Sequence, residues 1–558
     1  MLPSLFRQSK KSVSPHSSGR RNTCYALIAC SFFFLAGFTL IPHIGIEGDE
    51  ALFAAGIYQP RAELYTLHIG HSHVPIMLMS YLGALKSWIY RPIFNAFGAG
   101  PITLRAPMLL VGVASLWLFF LLVRRVAGEF AALIGCALLS VDSMYLVTVC
   151  FDWGPVALQH LLLVGGMLLL IRFYQQGGEP ALFGGFFLLG LALWDKALAV
   201  WMLSGMGIAG ILTLRRQILG TITLRRAAIS AVAFVLGSMP LVVYNAGNHW
   251  ATFRGTFHRD TSQIAGKALF LKNTAGGPGL FGWMTSTDWQ TPAPHQPHGA
   301  LETVSAGISA LFGQPRHHLL LYGFALALLL TPWVRGNALR VMAFSLITMA
   351  VAWVQMAITA NTGASVHHTI LLWPLPELVI AVSFASASRR LGRAGIPALG
   401  AVVAVMLVSG ALVINEYYTN MVRYGGAWAW NNAIYMLSDY LKSAPANNII
   451  LMDWGIMEPL QLLSRGKLPL GMGDGPVSDP VPSPDDRELV KRMISEPANL
   501  FIAHRKGFEF FPGRGPKLAQ LAEEFGYRRE MVRIVSDDWG REFFEVYRFS
   551  KQATVSVH

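Results

Sequence analysis

The sequence predicts a mainly α-helical, polytopic membrane protein of about eleven transmembrane helices, closed by a C-terminal soluble α/β domain. Three observations carry this. Of 558 residues, 53% are hydrophobic and only 13% charged, and the mean hydropathy is +0.45, far more apolar length than a soluble core of that size needs. Apolar runs near the roughly 20 residues that cross a bilayer recur from residue 24 to residue 414. After residue 420 charges become frequent, and short strand-like and helix-like pieces alternate.

The chain divides into a basic N-terminus (1–23), a membrane domain (24–420) and an exported domain (421–558). Arg7, Lys10, Lys11, Arg20 and Arg21 resemble the basic region of a signal peptide, but no small-residue cleavage site follows, so the first span is expected to be retained. Expected spans are 24–41, 106–123, 130–149, 155–173, 181–194, 197–213, 228–246, 317–333, 341–360, 369–387 and 396–414. With alternating spans, Arg124 and Arg125, Arg172, Arg215 and Arg216, Arg225 and Arg226, Arg335 and Arg340, and Arg389, Arg390 and Arg393 share one side with the N-terminus. That side is expected to be cytoplasmic, and an odd number of crossings puts the C-terminus outside. The formal charge of +13 therefore reports topology; its carriers sit in short clusters between apolar runs, which excludes a nucleic-acid-binding face. Cys24, Cys30, Cys136 and Cys150 lie in or beside spans and imply no disulfide framework.

Two outer loops are long, 47–105 and 247–316. In the first, 74–93 reads as a helix lying at the interface, anchored by Tyr81, Trp88 and Tyr90. The second, rich in Gly, Thr, Pro and His, has the polarity of a substrate-covering loop and little periodicity. In the exported domain, an alternation of helix-like and strand-like pieces begins at 431–442, with strands expected at 448–452, 499–504, 531–535 and 543–549 and helices at 459–464, 485–495 and 516–525. The glycine-rich 471–475 lacks a phosphate-loop or dinucleotide pattern and reads as a loop.

The residues suited to chemistry cluster at outer span ends. Asp49 and Glu50 follow the first span with no adjacent Lys or Arg to neutralise them, where acids are costly and a carboxylate is placed to act as general base; the alternative is capping of a helix starting near Ala51. His68, His71 and His73 come some twenty residues later, in a spacing that fits loop or substrate-binding histidines better than a metal set, although a divalent cation stays open. Asp152 follows the third span. Asp195 and Lys196 follow the fifth, where Lys196 reads either as a phosphate ligand or as the partner of Asp195. His367 and His368 precede the tenth span as phosphate donors or an interfacial cap, and Arg254, His258 and Arg259 face either substrate or solvent.

Several segments, in order, resemble the GT-C membrane glycosyltransferases that use polyprenyl-phosphate sugars, among them protein O-mannosyltransferases and lipid A aminoarabinose transferases. IEGDEALFA is similar to the first-loop acidic motif, HVPIMLMSYLGALKSWI to the His-Pro-Pro interfacial helix and PITLRAPMLLVGVASLWLFFLLVRRVAG to the second span with its basic pair. CFDWGPVAL resembles the second-loop aspartate segment, LGLALWDKALAVW the Thr-Lys-Gly segment and SVHHTILLWPLPELVIA the late His motif. The resemblance implies that Asp49 is the base activating the acceptor and that Glu50 helps to place a substrate. It implies that Asp152 lines the same cavity, that Lys196, His367 and His368 bind the lipid-linked phosphate, and that His73 is the motif histidine. Val74 replaces a motif proline, Asp195 stands where Thr is usual, and Cys150 replaces an Arg often found before the aspartate.

The expected activity is sugar transfer from a polyprenyl-phosphate donor to a lipid, glycan or protein acceptor outside a bacterial inner membrane, with inversion and with no cofactor required. An envelope polysaccharide polymerase or ligase is the alternative. A secondary transporter fits less well, because it would place charges near the midplane in broken helices.

Overall fold

The computed structural model describes residues 16–58, 65–70, 72–256, 258–286, 294–313 and 317–552. Arg7, Lys10, Lys11 and His71 lie outside the described residues. Each expected span coincides with a helix, yet the helices are not alike. Among the described residues seven are long and apolar enough to cross a membrane, or eight if Glu129–Ser140 and Ser143–Cys150, bent by 63°, form one span. The other three expected spans fall on Glu179–Asp195 of 17 residues, Ala199–Leu219, kinked at Leu214, and Leu320–Leu329 of 10 residues.

Local chemistry sets these boundaries. Pro101–Ala127 begins with Pro at its first position and stops at Gly128, whose φ of 89° a side chain rarely adopts, with Arg124 and Arg125 in the last turn facing the negative dipole end. The bend after Ser140 comes from Asp142, whose carboxylate accepts the Tyr145 N–H at 2.8 Å and starts a second helix.

The loop after the first span departs from expectation. In place of one interfacial helix over 74–93, β1 (Tyr65–Ile69), β2 (Ser72–Met79) and β3 (Leu82–Gly83) form an antiparallel sheet, and a helix follows at Leu85–Phe97. Of the three expected anchors, Tyr90 is fully buried, and Trp88 donates its indole N–H to the Pro75 carbonyl at 2.8 Å, tying sheet to helix. The loop 247–316 likewise holds helices at Ala251–Thr256, Ile264–Gly276 and Gly299–Phe312.

The C-terminal domain is a five-stranded sheet ordered β5-β4-β6-β8-β7, from β4 (Ile449–Leu451), β5 (Leu470–Met472), β6 (Leu500–His504), β7 (Tyr527–Ser536) and β8 (Glu542–Lys551). β4 runs parallel to β5 and β6; β8 is antiparallel to β6 and β7. β5 falls in the segment expected to be a loop. Alternation builds the two faces: Ile449, Leu451, Leu500 and Ile502 pack toward helices Ala433–Ser443 and Met457–Ser464, while Ile450, Phe501 and Ala503 pack toward Pro484–Ser495 and Arg514–Glu524.

This domain is seated on the membrane domain. Gly45 donates its N–H to the Trp430 carbonyl at 2.6 Å, Tyr435 its hydroxyl to the Ile44 carbonyl at 3.1 Å, Arg541 its guanidinium to the Ser286 hydroxyl, and Trp539 its indole at 2.8 Å to Arg423, at the end of the last membrane helix, Gly395–Tyr424. Gly48 packs so close that a Cβ there would lie 3.1 Å from Gly455 Cα and 3.6 Å from the Trp454 ring.

Candidate active site

The acidic motif folds as a single helical turn. Glu47 is extended and its side chain accepts the N–H groups of Asp49 at 2.7 Å and Glu50 at 3.1 Å, so Gly48–Ala51 turns helical behind it. Consecutive residues then point apart. Glu50 is buried and grips Arg105 with both oxygens, at 2.7 Å to Nε and 2.9 Å to Nη2, and the same guanidinium donates to the carbonyls of Ile41, Ile44 and Gly45. The neutralising base that the sequence seemed to lack thus arrives from 55 residues away. Glu50, expected to help place a substrate, has both oxygens committed to this knot.

Asp49 is the partner left available. It is half-buried, and among the described residues no donor reaches its carboxylate. Burial pushes its pKa up to about 6, with the Lys196 ammonium opposing and the Glu458 carboxylate adding to the shift. Tyr81, on the turn between β2 and β3, is pushed up to about 12 by burial and by the Asp49 charge, and Glu47 is pushed well up by burial and the same charge.

Asp152 has φ of 43° and does two tasks. One oxygen accepts the Val156 and Ala157 N–H groups at 2.9 Å each and starts helix Ala157–Gln176; the other lies 2.7 Å from Lys86 Nζ, both side chains being buried. Lys86 also donates to the Glu50 carbonyl at 3.2 Å and sits 4.4 Å from the Phe53 ring centroid, so it joins the first acidic turn to the second. The sequence carried its signal, a lone Lys in the apolar stretch LGALKSWIY.

Lys196 donates its ammonium to the Gly154 carbonyl, and its backbone bridges Leu82 of β3, so the small sheet fixes the lysine's turn. Burial pulls its pKa down to about 8 against the charges of Asp49, Asp195 and Asp152. Asp195 does not neutralise it by direct contact: one buried Asp195 oxygen lacks a hydrogen-bond partner among the described residues. Gly154 itself has φ of 66°, and a Cβ there would stand 2.5 Å from the His367 ring. His367 accepts or donates to Ser365 at 2.8 Å and meets Trp153 and His368 at ring separations of 4.5 and 4.2 Å. Both imidazoles feel the Lys196 charge.

Asp49, Asp152, Lys196, His367 and His368 therefore share one neighbourhood with Glu50 at its back, and Lys86, Arg105 and Glu458 belong to it as well. His73 does not join them: it is exposed on the β1–β2 hairpin, paired with His68 at 4.6 Å. Arg259 is exposed, its backbone bridging Thr359. Among the described residues no group of three or more His, Cys, Asp or Glu is arranged to hold a metal ion.

No protein-family model matches the chain, and no curated protein matches it in sequence. Among solved structures, the chain is similar to ArnT from Cupriavidus metallidurans bound to undecaprenyl phosphate, with a TM-score of 0.54 and 12% identity over 95% of this chain and 98% of that one. It is similar to the same ArnT in the apo state, at 0.54 and 13% over the same shares. The likeness establishes the fold, which this chain shares with that ArnT.

Proposed function

We propose that the chain is a membrane glycosyltransferase that moves a sugar from a polyprenyl-phosphate donor to an acceptor outside the cytoplasm, with Asp49 as base. The observation that carries this reading is that, at the seam between membrane and exported domains, Asp49, whose carboxylate no donor reaches among the described residues, lies within electrostatic reach of the buried Lys196. ArnT, whose fold it shares, has been seen with undecaprenyl phosphate, a ligand of the class proposed for the donor.

In this scheme the donor's prenyl tail stays in the bilayer and presents its sugar phosphate at the interface. The acceptor hydroxyl attacks the anomeric carbon from the face opposite the phosphate, so the configuration inverts. The C1–O bond to phosphate breaks with both electrons leaving on that oxygen, and the acceptor proton passes to Asp49. Lys196 and His367, with His368 beside it, meet the departing phosphate, the ammonium stabilising the charge that develops there and the neutral imidazoles donating hydrogen bonds. Asp152 holds Lys86 in place, and Glu50 with Arg105 sets the angle of the turn that carries Asp49. His73 and Arg259, both exposed, take no part in this scheme.

The test is Asp49→Asn assayed in liposomes with radiolabelled polyprenyl-phosphate sugars. Transfer should fall by at least about 10³-fold while expression and insertion stay normal. Normal transfer by this variant would remove Asp49 from the chemistry.

A further inference from the structure

A chain of aromatic side chains runs around the ionisable cluster, and the chemistry above does not use it. It begins beside the acidic turn, where Gly48 abuts the Trp454 ring. Trp454 meets Phe510 at 4.9 Å; Phe510 meets Trp428 at 6.3 Å and Trp283 at 6.4 Å; Trp283 meets Trp153 at 6.3 Å; and Trp153 ends the arc on His367 at 4.5 Å. The arc thus spans from the proposed base to the proposed phosphate side.

Its rings come from distant parts of the chain and are held deliberately. Asp453, buried, accepts the backbone N–H groups of Trp454, Phe510 and Phe511 at 2.9, 2.9 and 3.1 Å and pairs with His504 at 2.7 Å, which fixes both exported-domain rings. Trp428 sits at φ of 45°, a backbone conformation that costs a non-glycine residue about 1–2 kcal/mol and persists only where surroundings impose it. The loops carrying Trp283 and Trp428 are laced together, Ser286 N–H to the Gly425 carbonyl at 2.9 Å and Ala427 N–H to Met284 at 3.2 Å. Trp153 is buried in the core, but the four outer rings are not sealed. Trp283 is 37% exposed, and Trp428, Trp454 and Phe510 are half-buried.

We infer that this arc is a saccharide-binding subsite for the acceptor, whose ring C–H faces pack on Trp283, Trp428, Trp454 and Phe510 while its hydroxyl reaches Asp49. The inference rests on the transferase reading above and narrows it to a glycan-bearing acceptor. Partly exposed flat rings beside convergent polar groups suit a ligand that is apolar on its ring faces and polar at its edges. The donor's prenyl phosphate arrives through the bilayer, whereas Trp454 and Phe510 belong to the exported domain, so the rings meet the partner that comes from the aqueous side. A peptide or a plain lipid acceptor would leave these faces unmatched.

The experiment has two arms on the purified full chain. First, tryptophan fluorescence is titrated with a panel of soluble oligosaccharides; at least one should quench it saturably, and Trp283→Leu and Phe510→Leu should weaken that binding about 3–10-fold, with Trp283→Phe restoring most of it. Second, in the transfer assay the same Leu variants should raise KM for the acceptor by a similar factor and leave KM for the donor and kcat at saturating acceptor unchanged. No quenching by any saccharide, or a KM change confined to the donor, overturns the subsite. Saccharide binding that persists while Asp49→Asn still transfers sugar would sink the catalytic reading and leave the subsite standing, so the two failures are separable.

Discussion

Asp49 and Lys196 are tuned toward each other across neutrality. A base works ionised and a phosphate-binding ammonium works protonated, so with Asp49 near 6 and Lys196 near 8 transfer should climb through about pH 6 and fall beyond about pH 8. The two groups feel one another, and the limbs belong to the pair. Lys196→Arg, whose charge never titrates, should erase the alkaline limb of whatever transfer remains. The Asp49 shift also has a thermodynamic sign. Its folded pKa lies above its ordinary 3.8, so between about pH 4 and 6 the folded chain holds a proton that the unfolded chain has shed, and stability declines as pH rises through that window. Asp49→Asn should therefore melt at the same temperature as the parent or higher at pH 7, an activity lost without a fold lost. The Lys86–Asp152 pair behaves oppositely. Lys86→Met leaves a buried carboxylate uncompensated and should cost about 3–5 kcal/mol, much of it returned in the double variant with Asp152→Asn; thermal melts of the three proteins check this. Which residues carry charge near the first span was legible in the sequence. Which of them are spoken for was not, because Arg105 reaches Glu50 only through the packing of the second span on the end of the first.

At the scale of elements, the spans and the C-terminal strands other than β5 were readable because each is announced by its own residues. The runs of 20 apolar residues and the alternation in β4 and β6 are local signals. The small sheet after the first span was not. PIMLM is apolar without interruption, which suits a helix as well as a strand, and the choice is settled by β1 pairing His68 with His73 and by Trp194 donating its indole to the Ile76 carbonyl at 2.9 Å. β5 escaped for a related reason, since a three-residue strand with a central glycine has no periodicity to read and takes its form from β4. The turn Asp152–Gly154 offers the sharpest test of element geometry. Gly154→Ala adds a methyl against the His367 ring at a positive φ and should lower stability by about 1–3 kcal/mol and transfer with it, whereas alanine at Gly177, also at positive φ but with open space around it, should leave transfer intact. Parallel melts and transfer assays of the two variants make the comparison.

For the whole molecule, the seam decides how the parts cooperate. Polar contacts at 44–45, 423–430 and 539–541 fix the C-terminal domain over the acidic turn, and Glu458 enters the electrostatics of Asp49 from that domain. The topology proposed from the basic clusters places the domain outside. A C-terminal alkaline phosphatase fusion should be active and a C-terminal green fluorescent protein fusion dark; the reverse result would invert the assignment. The division into a membrane part and a sheet domain followed from composition, but their mutual placement did not, because no stretch of sequence announces which carbonyl a residue 391 positions later will bind, as Tyr435 does with Ile44.

That last contact has a consequence for the order of events in a cell. The ribosome delivers Ile44 and Asp49 early, and the groups that seat them, Trp430 and Tyr435, emerge only when most of the polypeptide has been made. The nascent protein therefore dwells in its bilayer with the reactive turn unfinished, and competence arrives in one late docking step. Under the proposed transferase reading, a chain stalled or clipped before that step would be inserted yet inert.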